Sequence, residues 1–395
     1  MPNDFPEVIL KSGRERALRR YHLWVFSGAI QSISGKPDEG DLVEVFSASG
    51  DYLATGHIQS GSIMVRIVSF ERTDGGQDFW RAKIEQAIAL RKTLGFIDNQ
   101  HTNVFRLIHG EGDGMPGLIA DYYNGVVVLQ AHDTGMWRRR QLFADIFGSL
   151  PALKVHAVYD KSENTLNSAS EHDGFLFGND DDGQVSEYSH RFIIDYREGQ
   201  KTGFFIDQRE SRRLLGNYAR GKKVANVFGY TGGFSVYAAA AGAVQVDTVD
   251  VSTRAIELAR QNMILNGFTD ELHHYYTLDA FAFFQQQQQQ PQYDIIVLDP
   301  PAFAKHRDAL ANALKAYRRI NEAAIAALAP GGLLFTFSCS QVVTPEDFRT
   351  AVFTAALANE RPCRVLHRLN QPPDHPINLY HPEGEYLKGL VLQVG

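Results

Sequence analysis

Cysteine is scarce in this chain: Cys339 and Cys363 are the only two in 395 residues. Two thiols cannot build a disulfide framework or a cysteine-rich zinc site, which fits a reducing compartment. Long apolar runs are missing as well. None reaches the roughly 18–20 residues of a membrane span, and the opening stretch MPNDFPEVILKSGRERALRR has an early acid and no signal-type apolar core. We therefore expect a cytoplasmic protein with no membrane partner. Nor is there an excess of positive charge. With 39 Lys and Arg against 46 Asp and Glu, the net charge of −7 excludes a polyanion-coating protein of the histone type but leaves room for local basic patches. No metal-ligand spacing stands out. The acidic stretch Asn179–Gly183 lacks the ligand order of a calcium loop, so no metal is expected.

What is there is an ordinary globular composition, 44% hydrophobic and 22% charged, on a chain long enough for two or three domains. The organising stretch is Lys222–Asp250, KKVANVFGYTGGFSVYAAAAGAVQVDTVD. An apolar β-like run meets the turn Gly229-Tyr230-Thr231-Gly232-Gly233. An Ala-rich helical segment follows, then a second strand, Val244–Val249, ending in Asp250. Ligands of open α/β sheets sit at such a turn, because glycines admit close backbone approach and an acid ending the next strand binds ribose hydroxyls. The fingerprint G-x-G-x-x-G is absent, so no pyrophosphate cradle is built. The pattern favours S-adenosylmethionine over a dinucleotide.

Taken in order, residues 1–72 read as a small β-rich domain, with strands at Leu42–Phe46, Tyr52–Ile58 and Ile63–Val68 and a helical look only near residues 14–20. Arg14, Arg16, Arg19 and Arg20 form a basic cluster suited to RNA phosphates, although a solvated helix face looks the same. Residues 77–189 read as a middle α+β domain. It has an amphipathic helix at Phe79–Leu94, a hairpin around Asn124-Gly125 and a helix near Arg138–Phe147. From residue 190 to 395, strands alternate with helices, which predicts a mostly parallel sheet covered on both faces. The glutamine run Gln285–Gln290 reads as a tolerated surface connection.

Several strand ends carry chemistry. The run GQKTGFFIDQR (Gly199–Arg209) offers Thr202 and Gly203 to a carboxylate, or is a polar entry to a helix. Asp250, with Ser252 beside it, suits ribose. Asp279 suits an adenine amino group, or caps the helix before Phe281. The next strand ends in Asp299-Pro300-Pro301-Ala302-Phe303. Its prolines stiffen the exit and leave Asp299 to face a planar base, with Pro300, Pro301 and Phe303 as pocket walls. The fifth strand ends in Ser338-Cys339-Ser340. Carbon-5 of cytosine attacks a methyl sulfonium only after a thiolate has added to C6, so a cysteine here is a candidate nucleophile; a buried strand cysteine acting as a small hydrophobe is the plainer reading.

The motifs GQKTGFFIDQR, NVFGYTGGFSV, VDVS, DPPAF, FSCS and DHP…PEGEYLKG together resemble the PUA-domain-containing class I S-adenosylmethionine-dependent methyltransferases that modify bacterial 23S ribosomal RNA. The WVFSGAI and GDLVEV order near the start resembles the PUA domain itself. The resemblance implies a PUA-like barrel, a middle α+β domain and a Rossmann-like catalytic domain. It also implies cytosine-C5 methylation, with Cys339 as nucleophile and Asp299 at the Watson–Crick edge. The cofactor-pocket candidates are then Thr202, Gly203, Phe228, Tyr230, Thr231, Gly232, Gly233, Asp250, Ser252, Asp279 and Asp299. Similar members are often homodimers. One departure is visible: many RNA cytosine-C5 enzymes carry a second cysteine after the D-P-P motif, where this chain has Ala302. Two other functions stay open, methylation of a base nitrogen without a thiol and a non-catalytic PUA-type RNA-binding or assembly factor.

Overall fold

The structure is a computed structural model that describes residues 5–166, 173–179, 183–269, 271–286, 292–304 and 306–395. The acids at 180–182 and the glutamines at 287–290 lie outside the described residues. Two compact units emerge. The first comprises Met1–Tyr188, Ile194–Ile206 and Pro373–Gly384; the second comprises Ser189–Ile193, Asp207–Pro372 and Glu385–Gly395. The three-part division expected from sequence is finer than this grouping. Residues 1–72 and 77–188 carry separate sheets within one unit, Ser189 falls in the other, and two segments from beyond residue 190 join the first. Among the described residues, no helix is long and apolar enough to cross a membrane.

In the first unit, β1 (Glu7–Leu10), β2 (Trp24–Phe26), β3 (Ile30–Ile33), β4 (Leu42–Phe46), β5 (Tyr52–Ile58) and β6 (Ile63–Ser69) form one sheet in the order β2-β6-β5-β4-β1-β3. Val8, Val25, Val43, Val45, Val65 and Ile67 fill its core. The basic stretch expected to be helical is only a single 3-10 turn, Leu18–Arg20, ended by Tyr21 at φ 62°. Tyr21 in the left-handed region stops the turn, its N–H closing back on Leu18 O.

The second sheet of this unit follows α1 (Gln77–Thr93). It runs β11-β10-β9-β8-β7, built from β7 (Val104–His109), β8 (Leu118–Tyr123), β9 (Val126–Ala131), β10 (Ala157–Asp160) and β11 (Gly174–Gly178). The β8–β9 hairpin turns at Asn124 (φ 49°) and Gly125 (φ 100°), the positive-φ pair that an Asn-Gly turn supplies cheaply. The helix expected near Arg138–Phe147 is broken at Arg139 into α2 (Thr134–Arg138) and α3 (Arg140–Ser149). The Asp133 side chain starts α2 by accepting from the Met136 N–H. A short strand, β12 (Gln184–Glu187), closes this part of the chain.

The second unit opens with β13 (His190–Ile193) and α4 (Arg209–Gly216). Its helices and strands then alternate as β14 (Lys223–Val227), α5 (Gly233–Ala240), β15 (Gln245–Asp250), α6 (Thr253–Leu265), β16 (His273–Thr277), α7 (Ala280–Gln286), β17 (Tyr293–Leu298), α8 (Leu310–Ala327), β18 (Leu328–Ser338) and α9 (Pro345–Ala358). β19 (Cys363–Leu369) and β20 (Lys388–Val394) complete a seven-stranded sheet in the order β16-β15-β14-β17-β18-β20-β19. The first five strands of that order run parallel, and β20 is antiparallel to both β18 and β19. Parallel strands must be buried on both faces, and β14 and β17 accordingly read as near-continuous buried runs. The strand order reverses between β14 and β17, so the crevice beyond their carboxyl ends is where such sheets bind ligands.

Candidate functional site

The turn after β14 is backbone-rich and held in the left-handed region. Phe228 (φ 62°), Tyr230 (φ 43°) and Gly232 (φ 76°) all have positive φ. For two non-glycine residues this is unfavourable backbone, of the kind that persists at ligand sites when the surroundings over-determine it. A Cβ on Gly229 would lie 2.7 Å from Thr248 Cγ2, and one on Gly232 would lie 2.9 Å from Ala259 Cβ. Glycine is therefore demanded where α5 and α6 close on the sheet. Thr231, Gly232 and Gly233 open α5 and are buried.

Asp250, at the end of β15, is aimed by two backbone donors. The Tyr230 N–H reaches Oδ2 at 3.0 Å and the Ser252 N–H reaches Oδ1 at 2.9 Å. Ser252 itself caps α6, its Oγ accepting from Ala255 N–H at 3.2 Å. Asp279 caps α7 through Oδ1, which accepts from Phe281 N–H at 2.8 Å, so the helix-cap role weighed for it from sequence is present. Asp299 follows β17. Its Oδ1 accepts from Gln208 Nε2 at 3.0 Å, while the buried Gln208 Oε1 has no hydrogen-bond partner among the described residues.

Beside Asp299 stands the second cluster. Cys339 is half-buried past the end of β18, with Sγ 3.9 Å from the Pro300 carbonyl oxygen. Ser338 and Ser340 on either side are buried around the Tyr317 hydroxyl of α8. Ser338 Oγ donates to it at 2.9 Å, and Ser340 Oγ lies 3.1 Å from it. Burial pushes the Tyr317 phenol up, which keeps it neutral. Phe303 packs on the Tyr317 ring with centroids 4.7 Å apart. The antiparallel register places Lys388 opposite Ser338, and its Nζ donates to Ser340 O at 2.6 Å. Burial pushes the Lys388 ammonium down to about 8, partly offset by attraction from Cys339.

The second unit thus gathers Phe228, Tyr230–Gly233, Asp250, Ser252, Asp279, Asp299–Pro301, Phe303 and Cys339. Thr202 and Gly203 belong to the first unit. There the Thr202 hydroxyl donates to Asp121 Oδ2 at 2.6 Å and meets the Tyr123 hydroxyl at 2.9 Å. Gly203 (φ 118°) has no room for a Cβ beside Tyr196 Cα, 2.9 Å away. Arg14, Arg16, Arg19 and Arg20 are exposed in the first unit, with Arg19 paired to Asp51 at 3.1 Å. Sequence reading missed Gln208, Tyr317 and Lys388. Gln208 and Lys388 fall inside quoted motifs, whereas Tyr317 has no signal beyond its helical spacing.

A model of S-adenosylmethionine-dependent methyltransferases matches residues 105–390, and a PUA-like domain model matches residues 8–70. The chain belongs to the S-adenosylmethionine-dependent methyltransferase family. It is 38% identical over 393 residues to ribosomal RNA large subunit methyltransferase I of Alteromonas mediterranea, covering 98% of each chain. With its Shewanella denitrificans namesake it shares 38% over 394 residues, 98% of this chain and 99% of that one. Among solved structures, a Streptococcus mutans protein described as a SAM-dependent methyltransferase superposes with TM-score 0.84 at 22% identity, over 98% of this chain and all of the other. A methyltransferase complexed with SAH, SMU.776, gives TM-score 0.85 at 22% identity and the same coverage. This methyltransferase uses S-adenosylmethionine, and its donor set fits that ligand: a glycine turn at the switch point, an oriented carboxylate at the end of β15, and an unsatisfied buried acceptor on Gln208.

Proposed function

We propose that this chain methylates large-subunit ribosomal RNA, forming 5-methylcytosine with Cys339 as nucleophile. The observation that carries the reading is the Cys339 thiol past the end of β18, 3.9 Å from the Pro300 carbonyl of the D-P-P turn. The RNA class rests on the relatives, named as ribosomal RNA large subunit methyltransferases, and on the PUA-like match. S-adenosylmethionine supplies an electrophilic methyl group when bound. Asp250 would hold its ribose hydroxyls, Gly232 and Gly233 would admit its backbone-side approach, and Gln208 Oε1 would accept from its ammonium. Phe228, Tyr230, Thr231, Ser252 and Asp279 are proposed as part of the same pocket.

Pro300, Pro301 and Phe303 wall the base, and Asp299 holds its Watson–Crick edge as the protonated acid, donating to N3 so that the negative charge developing there as the thiolate adds is offset. The Cys339 thiolate forms a bond to C6, and the electron pair of the 5,6 double bond makes C5 nucleophilic. Once C5 has a second substituent, removal of its proton restores the double bond and breaks the C6–S bond, returning the thiolate. Ala302, not a cysteine, stands directly after Pro301, so no second thiol there takes that proton. Neutral Lys388, across from Ser338 and with its ammonium depressed to about 8, is the base we assign. A base stacked in a helix hides C6, so the target must be flipped or single-stranded.

The test uses ribosomal RNA containing 5-fluorocytosine, incubated with S-adenosylmethionine and either the wild-type chain or Cys339→Ala. Fluorine at C5 cannot leave as a proton, so the wild type is expected to form a covalent protein–RNA band on a denaturing gel that the variant does not form. Methyl transfer to unsubstituted RNA that survives Cys339→Ala rules out the C5 mechanism and moves the target to a base nitrogen.

A further inference from the structure

His22, just before β2, and His381 with Glu383, on the segment Pro373–Gly384, meet within the first unit. His22 Nε2 is 3.2 Å from Glu383 Oε1, His381 Nδ1 is 3.6 Å from Glu383 Oε2, and the two imidazole centroids are 4.8 Å apart. One ligand atom from each residue lies within 4.8 Å of the others. Ligands about 2.0–2.1 Å from a tetrahedral ion are separated by roughly 3.3–3.4 Å, so only small side-chain rotations would bring the set to that spacing.

From this geometry we propose that His22, His381 and Glu383 bind one divalent transition-metal ion of the zinc class. Two imidazoles and a carboxylate are a borderline-soft set that suits zinc, cobalt or nickel better than magnesium or calcium. Three protein ligands leave the fourth position to water.

An independent observation points the same way. The His381 side chain is 1% exposed, and its Nδ1 has no hydrogen-bond partner among the described residues; at 3.6 Å the Glu383 oxygen is too far to be one. Buried ring nitrogens are normally satisfied, and an ion between His381 and Glu383 would satisfy this one. The Trp24 backbone fixes the His22 ring: Nδ1 lies 3.2 Å from Trp24 N and 3.3 Å from Trp24 O, which turns Nε2 toward Glu383. Arg66 is engaged elsewhere: it pairs with Glu111 at 3.3 Å and with Asp133 at 3.7 Å, and its guanidinium carbon lies 5.5 Å from the Trp24 ring centroid. A bound ion would pin the Pro373–Gly384 segment against the start of β2. It does not depend on the reading of Cys339.

The experiment takes the untagged full chain, stripped with chelator, and titrates it with Co²⁺ as a visible-absorption probe. We expect one equivalent per chain, ligand-field bands of a low-coordinate site, displacement by Zn²⁺, and a metal-dependent rise in melting temperature. Glu383→Gln and His381→Ala should each weaken Co²⁺ binding by more than about tenfold. The Glu383 side chain is 43% exposed, so Glu383→Gln keeps the fold even if His381→Ala does not, and circular dichroism of the metal-free forms checks this. Absence of stoichiometric binding, or equal affinity in wild type and a folded Glu383→Gln, overturns the proposal.

Discussion

At the scale of single residues, the decisive neighbour of Cys339 is a lysine that the fold buries. Lys388 is 6% exposed, its Nζ is spent on the Ser340 carbonyl, and burial lowers its ammonium from the ordinary 10.5 to about 8. Between about 8 and 10.5 the unfolded chain holds a proton that the folded chain has lost, so stability rises with pH across that window. Below 8 both states are protonated and the full cost of the buried charge is present. Lys388→Met is therefore expected to stabilise the protein at pH 7 by about 1–3 kcal/mol, less what the lost Ser340 hydrogen bond returns. The same substitution should cut methyl transfer by about 10²–10⁴-fold, the usual worth of a general base. Lys388→Arg, which keeps charge but cannot deprotonate, should also lose the rise in rate as pH approaches 8. Urea melts from pH 7 to 10 and single-turnover rates from pH 6.5 to 9 check both. A variant that is stabilised yet fully active would remove Lys388 from the chemistry. Sequence alone exposes Cys339 and Asp299 because each ends a recognisable strand, but Lys388 becomes their neighbour only through the antiparallel return of β20.

Among the elements, the glycine turn after β14 is where local backbone and tertiary packing demand the same residue. Gly232→Ala puts a Cβ in the left-handed region and 2.9 Å from Ala259 Cβ on α6. The backbone conformation costs about 1 kcal/mol for a non-glycine residue and the close approach adds to it, so a loss of about 2–3 kcal/mol is expected in denaturant melts. Because the turn also aims Asp250 through the Tyr230 N–H, affinity for S-adenosylmethionine measured by calorimetry should fall with it. Unchanged affinity in a destabilised but folded variant would separate the turn from the cofactor. Elements of this kind are legible in sequence: the hairpin at Asn124-Gly125 and the β14–turn–α5 unit stand where turn chemistry and apolar runs place them. The basic stretch at residues 14–20 is not, since its charge pattern suits a helix while only Leu18–Arg20 forms one 3-10 turn, ended by Tyr21 in the left-handed region.

For the molecule as a whole, chain order hides how the units are assembled. Ile194–Ile206 and Pro373–Gly384 belong with residues near the start, through bonds such as the Arg106 N–H to Asp374 Oδ2 at 2.9 Å. Contacts spanning 268 residues leave no local signal. Charge, by contrast, is readable from sequence and has a consequence at this scale. The protein is acidic overall, at −7, so any grip on RNA phosphate must come from a local patch working against the long-range field. The exposed Arg14, Arg16 and Arg20 are the proposed patch, with Arg19 tied to Asp51. Each phosphate contact to single-stranded RNA contributes about 0.7 to the slope of log affinity against log salt. Replacing the three arginines with alanine is thus expected to flatten that slope by about 2 while leaving cofactor affinity intact. Filter binding to ribosomal RNA fragments at several salt concentrations reads the slope, and Cys339→Ala serves as the control whose slope should match wild type. If the triple variant keeps the wild-type slope, the phosphate contacts lie on other residues and the 3-10 turn is no more than a solvated corner of the β domain.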